Sequence, residues 1–468
     1  MQCSRSARLR ELRALHFFGA LTLFGCSNDV ATGAEGHQGG TSSAGGGALT
    51  AGTSSLAGSP AMGNGGSGTS SASGAGGSPG AAGGSAGTAV SAGAGGGSAG
   101  GPVTGLGACS LATGADFEVV KANYQKWKTD LVTADGAGGF LRVRRPNSGT
   151  QVNSSNSEGI AYGLEISVYL DDQNLFDNLW QYEQAHRGAN GLMEWEIAPS
   201  GEVIGQGAAS DGDEDMALAL VMASKKWGGK GSLPDTYLNY AKKQIDLIWE
   251  HEVDHTRNDV LMPGDQFDGG SVINISYFAP AYYRIFGTVT GKNADWDRAA
   301  KTSYDVIEAT LNAANKNASN GLVPAWSTPS GTPMAPPGSD HPTWHQLDSC
   351  RTPFRLAQDY CWFNEPRALV YLKKINGFYS GVGAANIVDA YNLDGSVHEG
   401  ANLHLAAFVG GAGVGAMATS EHAKLRDESY TALAAWQTLI GGSVYYNESW
   451  SMLSLLMMTG RFVNLNAN

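Results

Sequence analysis

The sequence predicts an all-α domain built from helical hairpins, and three observations lead to this prediction. Apolar residues recur at helical spacing from Cys109 to Asn468, strand-like alternation is scarce in that part of the chain, and turns separate the apolar stripes. A helical domain of about 360 residues is too long for a simple bundle. We therefore expect the hairpins to close into a ring.

The apolar stripes define the expected helices. They consist of Leu164, Val168 and Leu175; of Met216, Ala219, Leu220 and Ala223; and of Trp450, Leu453, Leu456 and Met457. Gly228-Gly229 and Pro263-Gly264 are turn sequences between stripes. All 11 tryptophans lie in this part of the chain, as expected of its folded core.

The beginning of the chain has a different character. Residues 1–26 are expected to be a signal peptide, because arginines precede a short apolar stretch. The stretch ends in Leu23-Phe24-Gly25-Cys26, which resembles a bacterial lipobox with Cys26 as the lipidated residue. Phe24 is unusual in such a motif, so cleavage by an ordinary signal peptidase is the alternative. A short buried helix is a weaker alternative.

Residues 27–108 are rich in Gly, Ser and Ala and almost devoid of charge. Such a segment cannot bury enough apolar surface to offset its ordering entropy, so we expect a disordered linker. The linker would join the signal segment to a folded domain at 109–468. We therefore expect an exported protein, either an outer-membrane or cell-surface lipoprotein or a secreted one. An inert low-complexity tail is the alternative.

Composition excludes some partners and leaves the cysteines open. A formal net charge of −13 with no basic run argues against nucleic-acid binding. No apolar run reaches the roughly 18 residues of a membrane-spanning helix. On one helix, Cys350 and Cys361 would be about 16 Å apart, too far for a disulfide. Cys109 could pair with either of them, and free buried thiols are an equally good interpretation.

The first candidate site is a glutamate at an expected helix start. Ser157 is a plausible N-cap, which places Glu158 in the first helical turn. An ordinary first-turn glutamate that complements the helix dipole is the alternative. Gly159 and Gly163 argue against that alternative, because glycine weakens a helix and indicates a close approach by another group.

The second candidate is an acidic run, in which Asp211, Asp213, Glu214 and Asp215 begin a helix that continues to Trp227. A calcium loop would need glycine at its sixth position and glutamate at its twelfth. Counted from Asp211, both positions are methionine. Calcium binding is therefore disfavoured.

The third candidate is Asp348, near the start of another helix. Pro353 is tolerated there only in a first turn, and Arg351 and Arg355 follow the aspartate at helical spacing. The alternative is a capping aspartate paired with arginine. We expect the two arginines to keep Asp348 ionised.

A zinc-peptidase pattern, H-E-x-x-H, spans His251 to His255. The extended pattern requires glycine where Asn258 stands, and no glutamate occurs between Glu252 and Glu308 to serve as a third ligand. We interpret the two histidines as surface residues at a helix end.

Several segments together resemble one enzyme family. The stretch ASDGDEDMALALVMASKKW, from Ala209 to Trp227, is similar to the signature of glycoside hydrolase family 8. The segments around Glu158 and Asp348 resemble two further family motifs in the same order, as do Asn274–Phe278 and Tyr445-Tyr446-Asn447. The similarity covers nearly all of 109–468.

The resemblance implies an (α/α)6 barrel, two concentric rings of six helices, and inverting hydrolysis of β-1,4-linked glycans. It implies that Glu158 is the proton donor, that Asp211 holds the sugar at the cleavage point, and that Asp348 activates water. Arg351 would fix Asp348. Inverting hydrolysis needs one protonated and one ionised carboxyl group on either side of the scissile bond. No metal or cofactor is implied.

Aromatic rings stack on pyranose faces, so Trp195, Tyr277, Trp344 and Tyr446 are candidate substrate-binding residues, together with Arg351. A core or surface role is an equally good interpretation for each ring. Two departures from the family pattern concern substrate preference: Leu347 stands where tyrosine is usual, and Ala325 where aspartate is common.

The sequence thus predicts an endo-β-1,4-glucanase that acts on cellulose or mixed-linkage glucan. A xylanase or chitosanase with the same machinery is the nearest alternative, and a non-catalytic glycan-binding surface protein is an alternative of another class. A monomer is expected, with a polysaccharide or oligosaccharide as its partner.

Overall fold

The computed structural model describes residues 106–267, 269–435 and 441–467. The expected signal peptide at 1–26 and its Cys26 lie outside the described residues, as does the expected linker up to residue 105. Among the described residues, no helix is long and apolar enough to cross a membrane.

Twelve α-helices are found in the described part of the chain. They are α1 (Phe117–Leu131), α2 (Ser157–Tyr169), α3 (Gln173–Ala185), α4 (Ser210–Lys226), α5 (Tyr237–His251), α6 (Pro280–Thr290), α7 (Asn293–Thr310), α8 (Arg351–Phe363), α9 (Pro366–Val382), α10 (Ala406–Gly415), α11 (Ala423–Ala435) and α12 (Val444–Met458).

The even-numbered helices form a closed inner ring. Each packs against the next in the order α2, α4, α6, α8, α10 and α12, and α12 packs against α2. Each odd-numbered helix lies outside this ring: α3, α5, α7, α9 and α11 pack on the inner helix before them, and α1 packs on α12. Two concentric rings of six helices are an (α/α)6 barrel, which confirms the predicted fold class.

Burial explains which helices are inside. Every residue of α2 and of α10 is buried, and α10 has the small-residue sequence AAFVGGAGVG, which suits close packing on all sides. In the outer helix α5, by contrast, Tyr237, Ala241, Ile245 and Ile248 are buried along one stripe, and lysines occupy the other face.

Two details of the predicted helices are wrong by a short distance. Leu164 and Val168 lie in α2, but Leu175 lies in α3, because the chain turns between Tyr169 and Gln173. The N-cap of α2 is Asn156, not Ser157: the Asn156 side chain accepts a hydrogen bond from the backbone N–H of Gly159. Asparagine and serine are about equally good caps, so composition could not distinguish them.

Short strands lie mainly before the inner helices. They are β1 (Val132–Thr133), β2 (Arg142–Val143), β3 (Ser155–Asn156), β4 (Glu196–Ile197), β5 (Val203–Gly205), β6 (Val253–Asp254), β7 (Val260–Leu261), β8 (Ile273–Asn274) and β9 (Trp326–Ser327). The pairs β1–β2, β3–β4, β4–β5, β6–β7 and β8–β9 are all antiparallel. Strand β3 leads directly into α2, because its last residue, Asn156, is also the N-cap of that helix.

A disulfide joins Cys109 to Cys361, whose Cα atoms are 5.3 Å apart and whose sequence separation is 252. It ties the segment before α1 to the last turns of the inner helix α8. Cys350 is buried and free. The disulfide therefore resolves the pairing that the sequence left open.

We predict that replacing Cys109 and Cys361 together by serine lowers the free energy of unfolding by about 2–5 kcal/mol, because a long loop is released in the unfolded chain. Urea denaturation with and without a reductant measures this difference. In the double variant the reductant should have no further effect. Equal stability of the oxidised and reduced wild-type protein would contradict the prediction.

Candidate active site

Glu158 lies in the first turn of α2, at the N-terminal end of the inner ring. The Asn156 side chain caps this helix and also donates a hydrogen bond to the Tyr445 hydroxyl, over 2.9 Å. A Cβ atom on Gly159 would lie 2.8 Å from the Asn156 Oδ1 atom, and one on Gly163 would lie 2.7 Å from Leu179. Both glycines therefore mark close approaches, as the sequence predicted.

A third glycine, Gly212, allows Asp211 to lie next to Glu158. A Cβ atom on Gly212 would lie 3.0 Å from the backbone nitrogen of Glu158 and 3.0 Å from the carbonyl carbon of Ser157. The first turns of α4 and α2 consequently touch each other. Asp211, immediately before Gly212, is thereby held beside Glu158.

The Arg351 guanidinium joins all three predicted catalytic carboxyls. Its Nη1 atom donates to Glu158 Oε1 over 2.5 Å and to Asp211 Oδ2 over 2.7 Å. Its Nη2 atom lies 3.2 Å from Asp348 Oδ1. The structure therefore brings together three acids from distant parts of the chain. Glu158 and Asp211 are each 1% exposed and Asp348 is 4% exposed, so very little of any of them meets solvent.

Two tyrosines that the sequence analysis did not select complete the surroundings of Glu158. Tyr162 donates a hydrogen bond to Glu158 Oε1 over 2.7 Å, and Tyr445 donates to Oε2 over 2.6 Å. Tyr162 follows Glu158 by four residues, so helical spacing could have identified it. Tyr445 is the neighbour of the predicted Tyr446, and only the orientation of α12 distinguishes the two.

The two oxygens of Asp348 have different surroundings. Oδ2 accepts hydrogen bonds from the side-chain amides of Asn274, over 3.0 Å, and Gln346, over 3.2 Å. Oδ1 faces Arg351 and has no hydrogen-bond partner within the described residues. One oxygen is therefore held by amides, and the other has a lone pair with which it could accept a proton from water.

The expected contact between Arg355 and Asp348 is wrong. The Arg355 guanidinium makes a two-pronged interaction with Asp215, one arm of which spans 2.9 Å. Asp348 lies in a 3-10 turn before α8, whereas Arg355 begins the second turn of α8 and points deeper into the barrel. Of these two arginines, Arg351 is the one that pairs with Asp348.

Burial shifts the acidity of Asp211 and Asp348. It raises the pKa of Asp211 to about 7; Glu158 adds to this increase and Arg351 opposes it. Burial also raises the pKa of Asp348, against the opposing effects of Arg351 and Asn274. A carboxylate with a raised pKa is a stronger base, which suits a group that must take a proton from water.

The predicted substrate-binding aromatics fall into two groups. Trp195 and Trp344 are half-buried: the Trp195 carbonyl accepts a hydrogen bond from the Ser157 N–H, and Trp344 stacks on His398 with ring centroids 4.0 Å apart. Tyr277 and Tyr446 are buried. Stacking of these rings on a sugar therefore stays a prediction. Trp195 and Trp344 are the better candidates, because they expose more of their surface than the two tyrosines do.

The two buried tyrosines lie beside the catalytic residues. We define the catalytic layer as Glu158, Asp211, Asp348 and Arg351. The Tyr277 ring lies 4.9 Å from the Arg351 guanidinium. The Tyr446 hydroxyl donates to the carbonyl of Leu347 over 3.1 Å. Leu347 thus contributes a backbone acceptor beside Asp348. Ala325 is fully buried, and its N–H donates to the Trp344 carbonyl.

The zinc-peptidase pattern does not form a metal site. His255 uses one ring nitrogen on Asp259, at 2.7 Å, and the other on the Trp249 carbonyl, at 3.0 Å. Within the described ranges, no three His, Cys, Asp or Glu side chains come together in a way that could hold a metal ion. The acidic run at the start of α4 is instead divided among amide, hydroxyl and arginine partners.

Comparison with known proteins gives consistent results. The family model described as "Glycosyl hydrolases family 8" matches residues 106–460. The chain is 37% identical to Endoglucanase A of Acetivibrio thermocellus over 351 residues, which is 74% of this chain and 70% of that protein. It is 37% identical to Endoglucanase 2 of Ruminiclostridium josui over 350 residues, covering 74% and 72%.

A solved structure has the same fold. The structure of a beta-1,3-1,4-glucanase from Paenibacillus sp. X4 superposes with a TM-score of 0.68 at 27% sequence identity. The match covers 76% of this chain and 96% of the glucanase.

We predict that the protein becomes less stable as pH rises from about 5 to 8. Burial raises the pKa values of Asp211, Glu165, Asp213 and Glu252, so the folded state holds protons that the unfolded chain releases near pH 4. Unfolding is therefore increasingly favoured through this window. The melting temperature should fall by roughly 5 °C or more between these pH values.

Differential scanning calorimetry across the pH range tests this prediction. The Asp211→Asn variant, which has no titrating group at that position, should have a flatter curve than the wild type. Below pH 4 the trend should reverse, because carboxylates such as Asp254 have lowered pKa values in the folded state. A melting temperature that rises from pH 5 to pH 8 would contradict the prediction that these buried carboxyls hold protons in the folded state.

Proposed function

The chain belongs to glycoside hydrolase family 8, and we propose that it is an inverting endo-β-1,4-glucanase whose chemistry is carried out by Glu158, Asp211 and Asp348. The observation that carries this proposal is the single guanidinium of Arg351, which holds the three carboxyls at one end of the barrel. As a family member, the protein is an O-glycosyl hydrolase.

In the proposed reaction, Glu158 gives a proton to the glycosidic oxygen as the bond to the leaving sugar breaks. Asp348 takes a proton from a water molecule through its Oδ1 atom, and that water attacks the anomeric carbon from the opposite face. Asn274 and Gln346 hold the other oxygen of Asp348, so the carboxylate keeps its orientation. Preorganised donors of this kind lower the cost of placing the base.

Asp211 and Arg351 have supporting roles in this proposal. Asp211 holds the sugar at the cleavage point as a hydrogen-bond partner. Arg351 pairs with all three acids, so it compensates the negative charge that remains after Glu158 has lost its proton. Tyr162 and Tyr445 keep the Glu158 carboxyl in one orientation throughout.

The relatives favour a glucan as the substrate. Two are named endoglucanases, and the structural relative is a beta-1,3-1,4-glucanase. Reducing-sugar assays on carboxymethylcellulose, lichenan, xylan and chitosan decide among the possible glycans. We expect the highest rate on carboxymethylcellulose or lichenan. A higher rate on xylan or chitosan would show that the same catalytic residues act on that glycan instead.

A non-catalytic glycan-binding protein is the alternative of another class. The complete set of three carboxyls with their arginine supports an enzyme, because binding alone does not require a buried acid and base. Binding to any of these glycans without release of reducing ends would favour the alternative.

We predict that Glu158→Gln lowers kcat on the preferred glucan by at least about 100-fold, because a general acid contributes 10²–10⁴ to such rates. Glu448→Gln is the matched control: it removes a mostly buried carboxyl, paired with Lys126 at 2.7 Å, from inner helix α12. The control should keep its activity. Survival of activity within tenfold in Glu158→Gln would contradict the acid assignment.

The stereochemistry of the product tests the assignment independently. Proton NMR of the wild-type reaction should show the α-anomer first, since inversion of a β-linkage gives an α product. Mutarotation then produces the β-anomer. Initial release of the β-anomer would contradict the inverting mechanism.

We further propose that the protein is exported and displayed through a lipid on Cys26, with residues 27–108 as a flexible spacer. The support is the sequence pattern of the first 108 residues. In cell fractionation, the wild type should sediment with membranes, and Cys26→Ser should not. Equal distribution of both proteins in the soluble exported fraction would favour cleavage by an ordinary signal peptidase.

A further inference from the structure

A second pair of buried charges lies deeper in the barrel than the catalytic layer. Asp215 follows Asp211 by four residues on α4, and Arg355 follows Arg351 by four residues on α8. Four residues are about one helical turn, or 6 Å along the helix axis. The same two inner helices therefore present an aspartate and an arginine twice. We call Asp215 and Arg355 the second charge layer.

The second charge layer is fully enclosed by protein. Both residues are 1% exposed. Arg355 donates to both oxygens of Asp215, and its guanidinium lies 4.9 Å from the Tyr282 ring on α6. The Tyr282 hydroxyl in turn donates to Glu165 on α2, over 3.2 Å. A buried ion pair loses much solvation energy and is weak evidence for stability, so its place beneath the acids points to a role in the reaction.

The charges around this layer come from four inner helices. The ionisable groups that face Asp215 or Arg355 are Glu158 and Glu165 on α2, Asp211 and Glu214 on α4, Tyr282 and Tyr283 on α6, and Arg351 on α8. Burial raises the pKa values of Glu165 and Glu214 well above their usual range, which favours their neutral forms. It also raises the pKa values of Tyr282 and Tyr283, so both tyrosines are neutral near pH 7.

Asp215 is then the group that compensates Arg355. Burial raises the pKa of Asp215 as well, but the charge of Arg355 and its two-pronged hydrogen bonding oppose that shift. Without Asp215, the positive charge of Arg355 would act on the catalytic layer through a low-dielectric interior, where charges are poorly screened. A positive charge there favours loss of a proton from the acids above it.

We propose that Asp215 is a positioning residue for the reaction: by balancing Arg355, it keeps the proton needed for catalysis on Glu158 and Asp211, the two carboxyls that accept hydrogen bonds from the same Arg351 nitrogen. This inference rests on the proposed function, because the proton in question is the one that Glu158 gives to the leaving sugar. Asp215 touches no substrate in this account and acts through the charge of its neighbour.

The pH dependence of kcat tests the inference in three proteins. In Asp215→Asn, Arg355 is unbalanced, so the alkaline limb of the profile should move to lower pH by about one unit. In the double variant Asp215→Asn/Arg355→Met, both charges are absent, and the limb should return to within about 0.3 units of the wild type. A purely structural role would lower kcat at every pH, and the double variant would be the worse of the two.

The matched control is Asp359→Asn, on α8 one turn beyond Arg355. Asp359 is also buried and pairs with an arginine, Arg284, at 2.8 Å. Its charge is further from the catalytic layer, and Arg284 is partly exposed and therefore screened. The limb should move by less than about 0.3 units. A shift as large as that of Asp215→Asn would show that any lost buried carboxylate has this effect, and would overturn the proposal.

A titration without substrate separates failure of this inference from failure of the proposed function. Carbon-13 NMR of labelled Asp carboxyls follows proton loss from Asp211 directly. Its midpoint should fall in Asp215→Asn and recover in the double variant, whether or not a glucan is cleaved. Circular dichroism establishes which variants fold. If Asp215→Asn does not fold, Arg355→Met should move the midpoint upward, and an unchanged midpoint in every folded variant overturns the proposal.

Discussion

One buried guanidinium governs the active site. Arg351 is the cation that contacts Glu158, Asp211 and Asp348, and it is itself fully buried. One positive charge cannot compensate three negative ones in a poorly solvated interior, so the cluster must retain at least one proton. The raised pKa of Asp211 reflects that requirement. A site that retains a proton near neutral pH is also a site with a general acid, so the electrostatic constraint and the proposed chemistry have the same origin.

The inner helices of the barrel bring the three carboxyls and Arg351 together, because their N-terminal ends meet at one place. Glu158, Asp211, Arg351 and Tyr445 lie in the first turns of α2, α4, α8 and α12, so four helix N-termini converge on the carboxyls. Their dipoles favour negative charge there. Gly212 allows two of these termini to touch. The outer helices cover the ring with amphipathic faces, and the disulfide ties the chain before α1 to α8.

Sequence analysis predicted the fold class, and it selected three acids that the structure brings together, because helical stripes and acidic motifs are local patterns. The catalytic roles of these acids come from the family resemblance and stay a prediction. Helical periodicity, the glycines beside Glu158 and the acidic signature are all visible within short windows. What it missed depends on helix phase and on distant contacts. The partner of Arg355 is Asp215, not Asp348, since Asp348 lies in the 3-10 turn before α8 and Arg355 lies a full turn beyond Arg351 on that helix. Tyr445 reaches Glu158 across 287 residues, and Cys109 pairs with Cys361 across 252. No local rule selects such partners among near neighbours.

A crystal structure of the Glu158→Gln variant with a bound cello-oligosaccharide tests the central claim most directly. The account predicts an intact chain whose scissile oxygen lies within hydrogen-bonding distance of residue 158. A water molecule should contact Asp348 Oδ1 on the opposite face of the sugar, and Arg351 should still join the carboxyls. An oligosaccharide bound with its linkage far from Arg351, or an Asp348 turned away from the sugar, would contradict it.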